Sequence, residues 1–215
     1  MRHLPKEIIA TLSKISVMAE NQKPSIKPIS TCLENSCKDC SLPGIIHCHF
    51  SLFQYIKFMI SSLPGFVLGA IGIIRFDNHF LTYWIVSCVI FFAVIETRVL
   101  CSHCPHYGEP GIILKCWAAR GLVKLWSWRL GPLSVFEKVI LLGGFGLIWT
   151  YPIPFLIIGN MWLLLLAYSL ATVAFFGILQ WQFCRHCINL YCPLNRVPED
   201  TRNEFYIRNP TVKSL

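Results

Sequence analysis

Three stretches of this chain, residues 52–74, 80–100 and 135–181, are almost free of charge, and together they are long enough for four crossings of a bilayer. A hydrocarbon core of about 30 Å takes about 20 apolar helical residues. Within it every backbone N–H and C=O must be bonded internally, which leaves helices or a closed barrel. Composition agrees: 54% of the 215 residues are apolar and 14% are charged, too few to cover a water-soluble globule of this size. The expected fold is an all-α integral membrane protein of four transmembrane helices in two hairpins, with cysteine-rich cytosolic loops.

The chain divides into residues 1–50, a cytosolic segment; 51–100, a first hairpin; 101–134, a cytosolic or interfacial loop; 135–182, a second hairpin; and 183–215, a cytosolic tail. The first span runs from about Leu52 to Ile74, with Lys57 snorkelling to the headgroups, a kink at Pro64 and a close-packing face at Gly65-x3-Gly69. Residues 75–79 turn the chain into a span over Phe80–Leu100. Ser134-x-x-Glu137 reads as a capping box at the start of the third helix. That helix either stops at Tyr151-Pro152-Ile153-Pro154 or passes through a kink there and turns at Gly159-Asn160. The second choice gives two spans of ordinary length, and either one returns the chain at Trp181. Near the N-terminus, Leu4, Ile8, Ile9, Leu12, Ile15 and Met18 recur at helical spacing, as in an amphipathic helix lying on a membrane or a partner. Thr11, Ser13 and Lys14 interrupt the apolar core that a signal peptide requires.

Four crossings put the N-terminal segment, the central loop and the tail on one side. Of the nineteen Lys and Arg, only Arg75 falls on the other. The positive-inside rule assigns the shared side to the cytoplasm of a plasma-membrane protein. The formal charge of +8 then belongs to loops facing anionic lipid, not to nucleic-acid binding. Trp117, Trp126 and Trp128 among Lys115, Arg120, Lys124 and Arg129 suggest that the central loop lies in the interface.

Ten of the eleven cysteines cluster on that side. Cys32, Cys37, Cys40 and Cys48 form one set, able to complete a four-ligand shell, with His47 and His49 beside it. Cys101, Cys104 and Cys116 form a second, and Cys184, Cys187 and Cys192 a third. Reducing conditions disfavour disulfides, so clustered cytosolic thiols read first as metal ligands, and Cys-x-x-Cys lets two of them reach one centre across a tight turn. Cys101, Cys104, Cys184 and Cys187 start where the second and fourth helices leave the membrane, so one centre is expected to draw on both pairs. Cys116 and Cys192 either replace one of these or complete another centre with His103, His106 or His186. Soft sulfur suits zinc and iron–sulfur clusters alike. Cys104-Pro105 and Cys192-Pro193 resemble the proline after the last cysteine of bacterial ferredoxin motifs, and Cys32-x4-Cys37-x2-Cys40 is similar in spacing alone to plant-type ferredoxins. These favour iron–sulfur.

Cys88, alone at mid-span, reads as a packing residue, and Glu96 as an interfacial partner of Arg98. The spans hold no histidine pair for haem, and the chain has no Walker loop, dinucleotide fingerprint or His-Glu-x-x-His. The reading is a membrane-anchored, cysteine-ligated metal protein, passing electrons between a cytosolic or membrane-protein partner and the bilayer if the metal is iron. A zinc-stabilised scaffold or assembly subunit is the alternative. A thiol–disulfide oxidoreductase is a second: the architecture is similar to quinone-linked membrane enzymes that make disulfides, but those place their cysteines on the oxidising side. Reporter fusions at Leu215 and beside Asn78 should report opposite sides of the membrane, with the C-terminus cytoplasmic. An external C-terminus would overturn both the topology and the reducing-side argument.

Overall fold

The computed structural model describes residue 42, residues 45–129 and residues 131–208. Among these residues the regular elements are all helical. The amphipathic segment near the N-terminus and Cys32, Cys37 and Cys40 lie outside the described residues. Four helical spans are long and apolar enough to cross a membrane: α1 Leu52–Phe76, α2 Asn78–His103, α3 Val135–Ile158 and α4 Trp162–His186. They fit an integral membrane protein. Their outer faces stay apolar, with Ile60, Leu63, Val89, Val139, Leu163 and Val173 exposed, as helices in contact with lipid require. A short helix, α5 Glu199–Arg208, follows them.

Each span begins and ends for a local reason. Between α1 and α2 the turn shrinks to Asp77, whose side chain accepts a hydrogen bond from the His79 amide at 2.7 Å. At the start of α3 the capping box is complete: the Ser134 hydroxyl accepts from the Glu137 amide at 3.2 Å, and the Glu137 carboxylate accepts from the Ser134 amide at 2.9 Å. α3 continues through Tyr151-Pro152-Ile153-Pro154 and turns at Gly159-Asn160. There Asn160 takes a left-handed φ of 51°, and the Asn160 and Met161 amides donate back to Ile157 and Leu156, a Schellman ending.

Side chains from two other spans make the prolines tolerable. Pro152 has no N–H to give the Ile148 carbonyl one turn back. The indole N–H of Trp84, on α2, donates to that carbonyl at 3.0 Å, and the hydroxyl of Tyr168, on α4, donates to the next carbonyl, that of Trp149, at 2.5 Å. The kinked helix is thereby pinned to both of its neighbours at membrane depth.

α1 packs against each of the other three spans, most extensively against α4. Its contact face is made of Ser62, Gly65, Gly69 and Gly72, all buried. A Cβ on Gly65 would lie 2.5 Å from the Trp149 ring, and one on Gly72 would press into Leu156. At Gly69 it would meet Pro152 at 3.0 Å, Trp84 at 3.1 Å and Tyr168 at 3.2 Å, one residue from each of α3, α2 and α4. A methyl group there has three rigid neighbours and no route of escape. Gly69→Ala should therefore lower bundle stability by about 1–3 kcal/mol. Gly146→Ala, where a Cβ meets nothing within 4 Å, should leave it unchanged. Thermal unfolding in detergent checks the pair, and equal midpoints would refute the four-helix contact at Gly69.

Candidate functional site

The two cysteine-bearing helix ends are built alike. α2 is α-helical to Ile90, widens to a π-turn over Phe91–Ile95, and closes in a 3₁₀ turn over Cys101–His103. α4 is α-helical to Ile178, has a π-turn over Leu179–Phe183 and closes in a 3₁₀ turn over Cys184–His186. Each turn carries the sequence Cys-x-His-Cys. A π-turn inserts one residue and rotates everything beyond it by about 100°. On α4 the buried positions Tyr168, Phe175 and Leu179 would lead in a straight helix to Gln182; after the π-turn Phe183 and Cys184 are buried and Gln182 is exposed.

The loops bring the other two thiols to the same place. Residues 112–124 fold back on themselves through Leu114–Leu122 and Lys124–Ile112 backbone bonds of 2.8 Å, and Cys116 sits in the bend. Trp117, expected in the interface, turns inward: it is buried and stacks on Phe183 with ring centroids 4.8 Å apart. Trp128 also points back, its indole N–H donating to the Cys104 carbonyl at 3.1 Å, so the loop is fastened over the helix ends. The tail bends at Asn195, whose side-chain amide donates to the carbonyls of Cys187 and Asn189 at 2.8 and 3.0 Å. Cys192 lies inside that bend.

All six thiols, Cys101, Cys104, Cys116, Cys184, Cys187 and Cys192, line one cavity of about 590 Å³. None of them is in a disulfide. They are close enough to affect one another: Cys116 and Cys187 both disfavour ionisation of Cys104. Burial, reinforced by these neighbours, holds Cys104 and Cys187 well above the ordinary thiol range. Burial pushes Cys116 and Cys192 up to about 11. Opposing this, backbone amides point at four of the sulfurs: His106 at Cys104, Ala118 and Ala119 at Cys116, Asn189 at Cys187, and Leu194 and Asn195 at Cys192. Such N–H···S bonds stabilise thiolates and tune thiolate-bound metals. Among the described residues, no three His, Cys, Asp or Glu side chains are placed to hold one metal ion.

The histidines considered as further ligands have other partners. His103 bonds the Gly131 carbonyl at 3.0 Å and Glu137 at 3.4 Å, His106 bonds Glu109 at 2.9 Å, and His186 bonds the Ile45 carbonyl at 2.8 Å. Glu137 also takes Arg129 at 2.9 Å, so the first Cys-x-His-Cys turn is tied to the start of α3. Arg98 lies 4.0 Å from Glu137 and does not pair with Glu96; Glu96 faces the cysteine-lined cavity. The spacing of Glu96 and Arg98 in sequence suggested a pair, but the π-turn before Glu96 turns the acid inward. Cys88 packs half-buried against the core, as expected for a filler. Of the N-terminal set, Cys48 is described: it lies against the cluster containing Cys104 and Ile188, beside a bridge between His47 and Cys187, so this segment joins the other cysteines.

No known protein family, curated protein or solved structure matches the chain.

With Cys116 and Cys192 at about 11 against an ordinary value of 9.0, the thiolate fraction near neutral pH is lower by about 100-fold. In metal-free protein both should alkylate correspondingly slowly with iodoacetamide near neutrality and accelerate with each pH unit toward that value. Peptide mass spectrometry reads the rates. Labelling as fast as that of an unhindered cysteine would mean that the sulfurs are not desolvated.

Proposed function

We propose that this is a membrane-anchored protein whose clustered cysteines hold an iron–sulfur centre, and that the centre passes electrons between a cytosolic partner and the membrane. One observation carries the reading: six thiols from three separate parts of the chain converge on one cavity at the end of a four-helix bundle, unbridged and with backbone amides turned toward four sulfurs. Six thiols so gathered offer a soft cation a complete set of sulfur ligands, with amides already aimed at four of them. Cys101, Cys104, Cys184 and Cys187 supply two pairs on matching turns, and Cys116 and Cys192 stand within reach of the same space. An iron–sulfur cluster held by these thiols would supply one-electron transfer between a cytosolic partner and the bilayer.

This end of the bundle is proposed to face the cytoplasm of a plasma-membrane protein, a reading supported by the Lys and Arg distribution. Cys32, Cys37, Cys40 and Cys48 are proposed to hold a separate centre, adjoining the first through Cys48.

Anaerobically purified protein should be coloured and contain iron and acid-labile sulfide. Replacing Cys101 and Cys104 by Ser, or Cys184 and Cys187 by Ser, should abolish the same visible and paramagnetic signal. Replacing all four should cost no more than either pair, the non-additivity of residues serving one site. Zinc in place of iron would reverse the reading in favour of a scaffold held together by structural metal. A metal-free protein cycling between dithiol and disulfide would replace it with a thiol–disulfide oxidoreductase. Additive losses from the two pairs would refute the shared centre.

A further inference from the structure

The cavity that gathers the thiols does not end at them. It continues between the spans, where its walls are apolar and aromatic, including Phe58, Phe66, Trp117, Trp149 and Phe175. These rings form a packed set: Phe66 and Trp149 have centroids 5.0 Å apart, Trp149 and Phe175 4.9 Å, and Phe58 and Trp117 5.2 Å. One side is bounded by Met59, Ile60 and Leu63 of α1, which are also exposed on the outer, apolar surface of the bundle. This side of the cavity borders the surface that faces lipid. At the thiol end stand two polar groups with unmet hydrogen-bonding capacity. The Glu96 carboxyl has no hydrogen-bond or ion-pair partner among the described residues, and the buried Asn189 side-chain oxygen has none either. Bundles do not leave an acid beside apolar rings without cost.

These features select a ligand that is flat enough to stack on aromatic rings, apolar enough to arrive through lipid, and able in its reduced, hydroxyl-bearing form to donate to the Glu96 carboxylate and the Asn189 side-chain oxygen. An acyl chain meets the first wall of the cavity but offers nothing to Glu96 or Asn189. We propose that the cavity is the binding site of a lipid-soluble quinone, with its ring among the aromatic side chains and one ring oxygen directed to Glu96. The thiol-lined end and the aromatic-walled remainder share the cavity of about 590 Å³, and the ring takes the aromatic part beside the cysteines. The assignment rests on reading the adjacent cysteines as an electron-carrying centre, because that is what gives a redox ring a reason to be there. It adds the identity of the membrane acceptor or donor.

The test uses the full-length protein in phosphatidylcholine nanodiscs free of native lipid, titrated with decylubiquinone while tryptophan emission is followed. Trp117 and Trp149 line the cavity, so site binding should quench a saturable fraction of the emission above the linear quenching by quinone dissolved in lipid. Glu96→Leu should weaken the saturable phase about tenfold by removing the polar contact. Ser62→Phe, which grows a ring into the cavity from α1, should abolish it. Decylbenzene, with the tail but no ring oxygens, should compete poorly.

Purely linear quenching would overturn the proposal, as would a saturable phase untouched by both substitutions or equal competition by decylbenzene, which would mark a pocket for any apolar chain. Because Ser62 is in a helix contact, Glu96→Leu serves as the decisive variant if Ser62→Phe does not fold. Iron and sulfide measured on the same samples keep the two readings separable. Metal with no saturable quinone phase defeats this inference alone, and saturable quinone binding without metal defeats the iron–sulfur centre alone.

Discussion

The absence of a side chain at Gly69 is the constraint on which the bundle depends. Trp84, Pro152 and Tyr168 come from three different spans and crowd the space that a Cβ would occupy, so α1 can sit in contact with all three only if that position is glycine. Lipid gives helices no hydrophobic reason to associate, and close backbone approach together with buried hydrogen bonds must serve instead. Both operate at one level of this bundle. The Trp84 and Tyr168 side chains that meet Gly69 are the same ones that donate to the α3 carbonyls beside Pro152. The proline kink, the glycine face and the two buried donors form one unit, and the directions of α2 and α4 follow from it. So does the meeting of their cysteine-bearing ends.

Much of this was legible in sequence. The spans and the capping box at Ser134 follow from length, apolar runs and cap chemistry, which are local properties. Gly65-x3-Gly69 announced a packing face, although not that Gly72 extends it or that Gly69 meets three partners. Whether Tyr151-Pro152-Ile153-Pro154 ends a helix or kinks one could not be decided locally, because the donor that rescues the carbonyl freed by Pro152 lies 64 residues away in the chain. Trp117 was misjudged for a related reason. Tryptophan near lysine and arginine usually marks a membrane interface, but here Phe183 on α4 offers a stacking partner that the sequence of the loop does not reveal.

The chemistry of the thiols follows from where they are put. Each sulfur alone would be an unremarkable small apolar group. Six together, desolvated and mutually repelling when ionised, form a set that resists deprotonation, while the amides aimed at Cys104, Cys116, Cys187 and Cys192 work in the other direction. The two tendencies are reconciled when positive charge enters the cavity, since a bound metal takes sulfur as thiolate and releases its proton. The histidines contribute from outside. His103 fastens its turn to Gly131 and Glu137, and His186 fastens the matching turn to the Ile45 backbone, so the repeated histidine in Cys-x-His-Cys acts as an anchor for the turn.

The paired π-turns are the feature that sequence periodicity could not disclose, and they carry the largest functional consequence. On α2 the inward positions Trp84 and Phe91 lead, at 3.6 residues per turn, toward Ile95 and Arg98. The extra residue of the π-turn shifts that face by one, to Glu96 and Val99, so the acid looks into the cavity and the guanidinium looks out toward Glu137. On α4 the same one-residue shift exchanges Gln182 for Phe183 and brings Cys184 inward. A π-turn strains regular helical bonding and persists where the surroundings reward the change of direction. That it occurs in both spans, each time within six residues of a Cys-x-His-Cys turn, ties the irregularity to the thiols and not to packing at one helix end. Helical regularity has been given up twice, once in each cysteine-bearing span, and what is obtained each time is a polar or sulfur-bearing side chain facing one shared space.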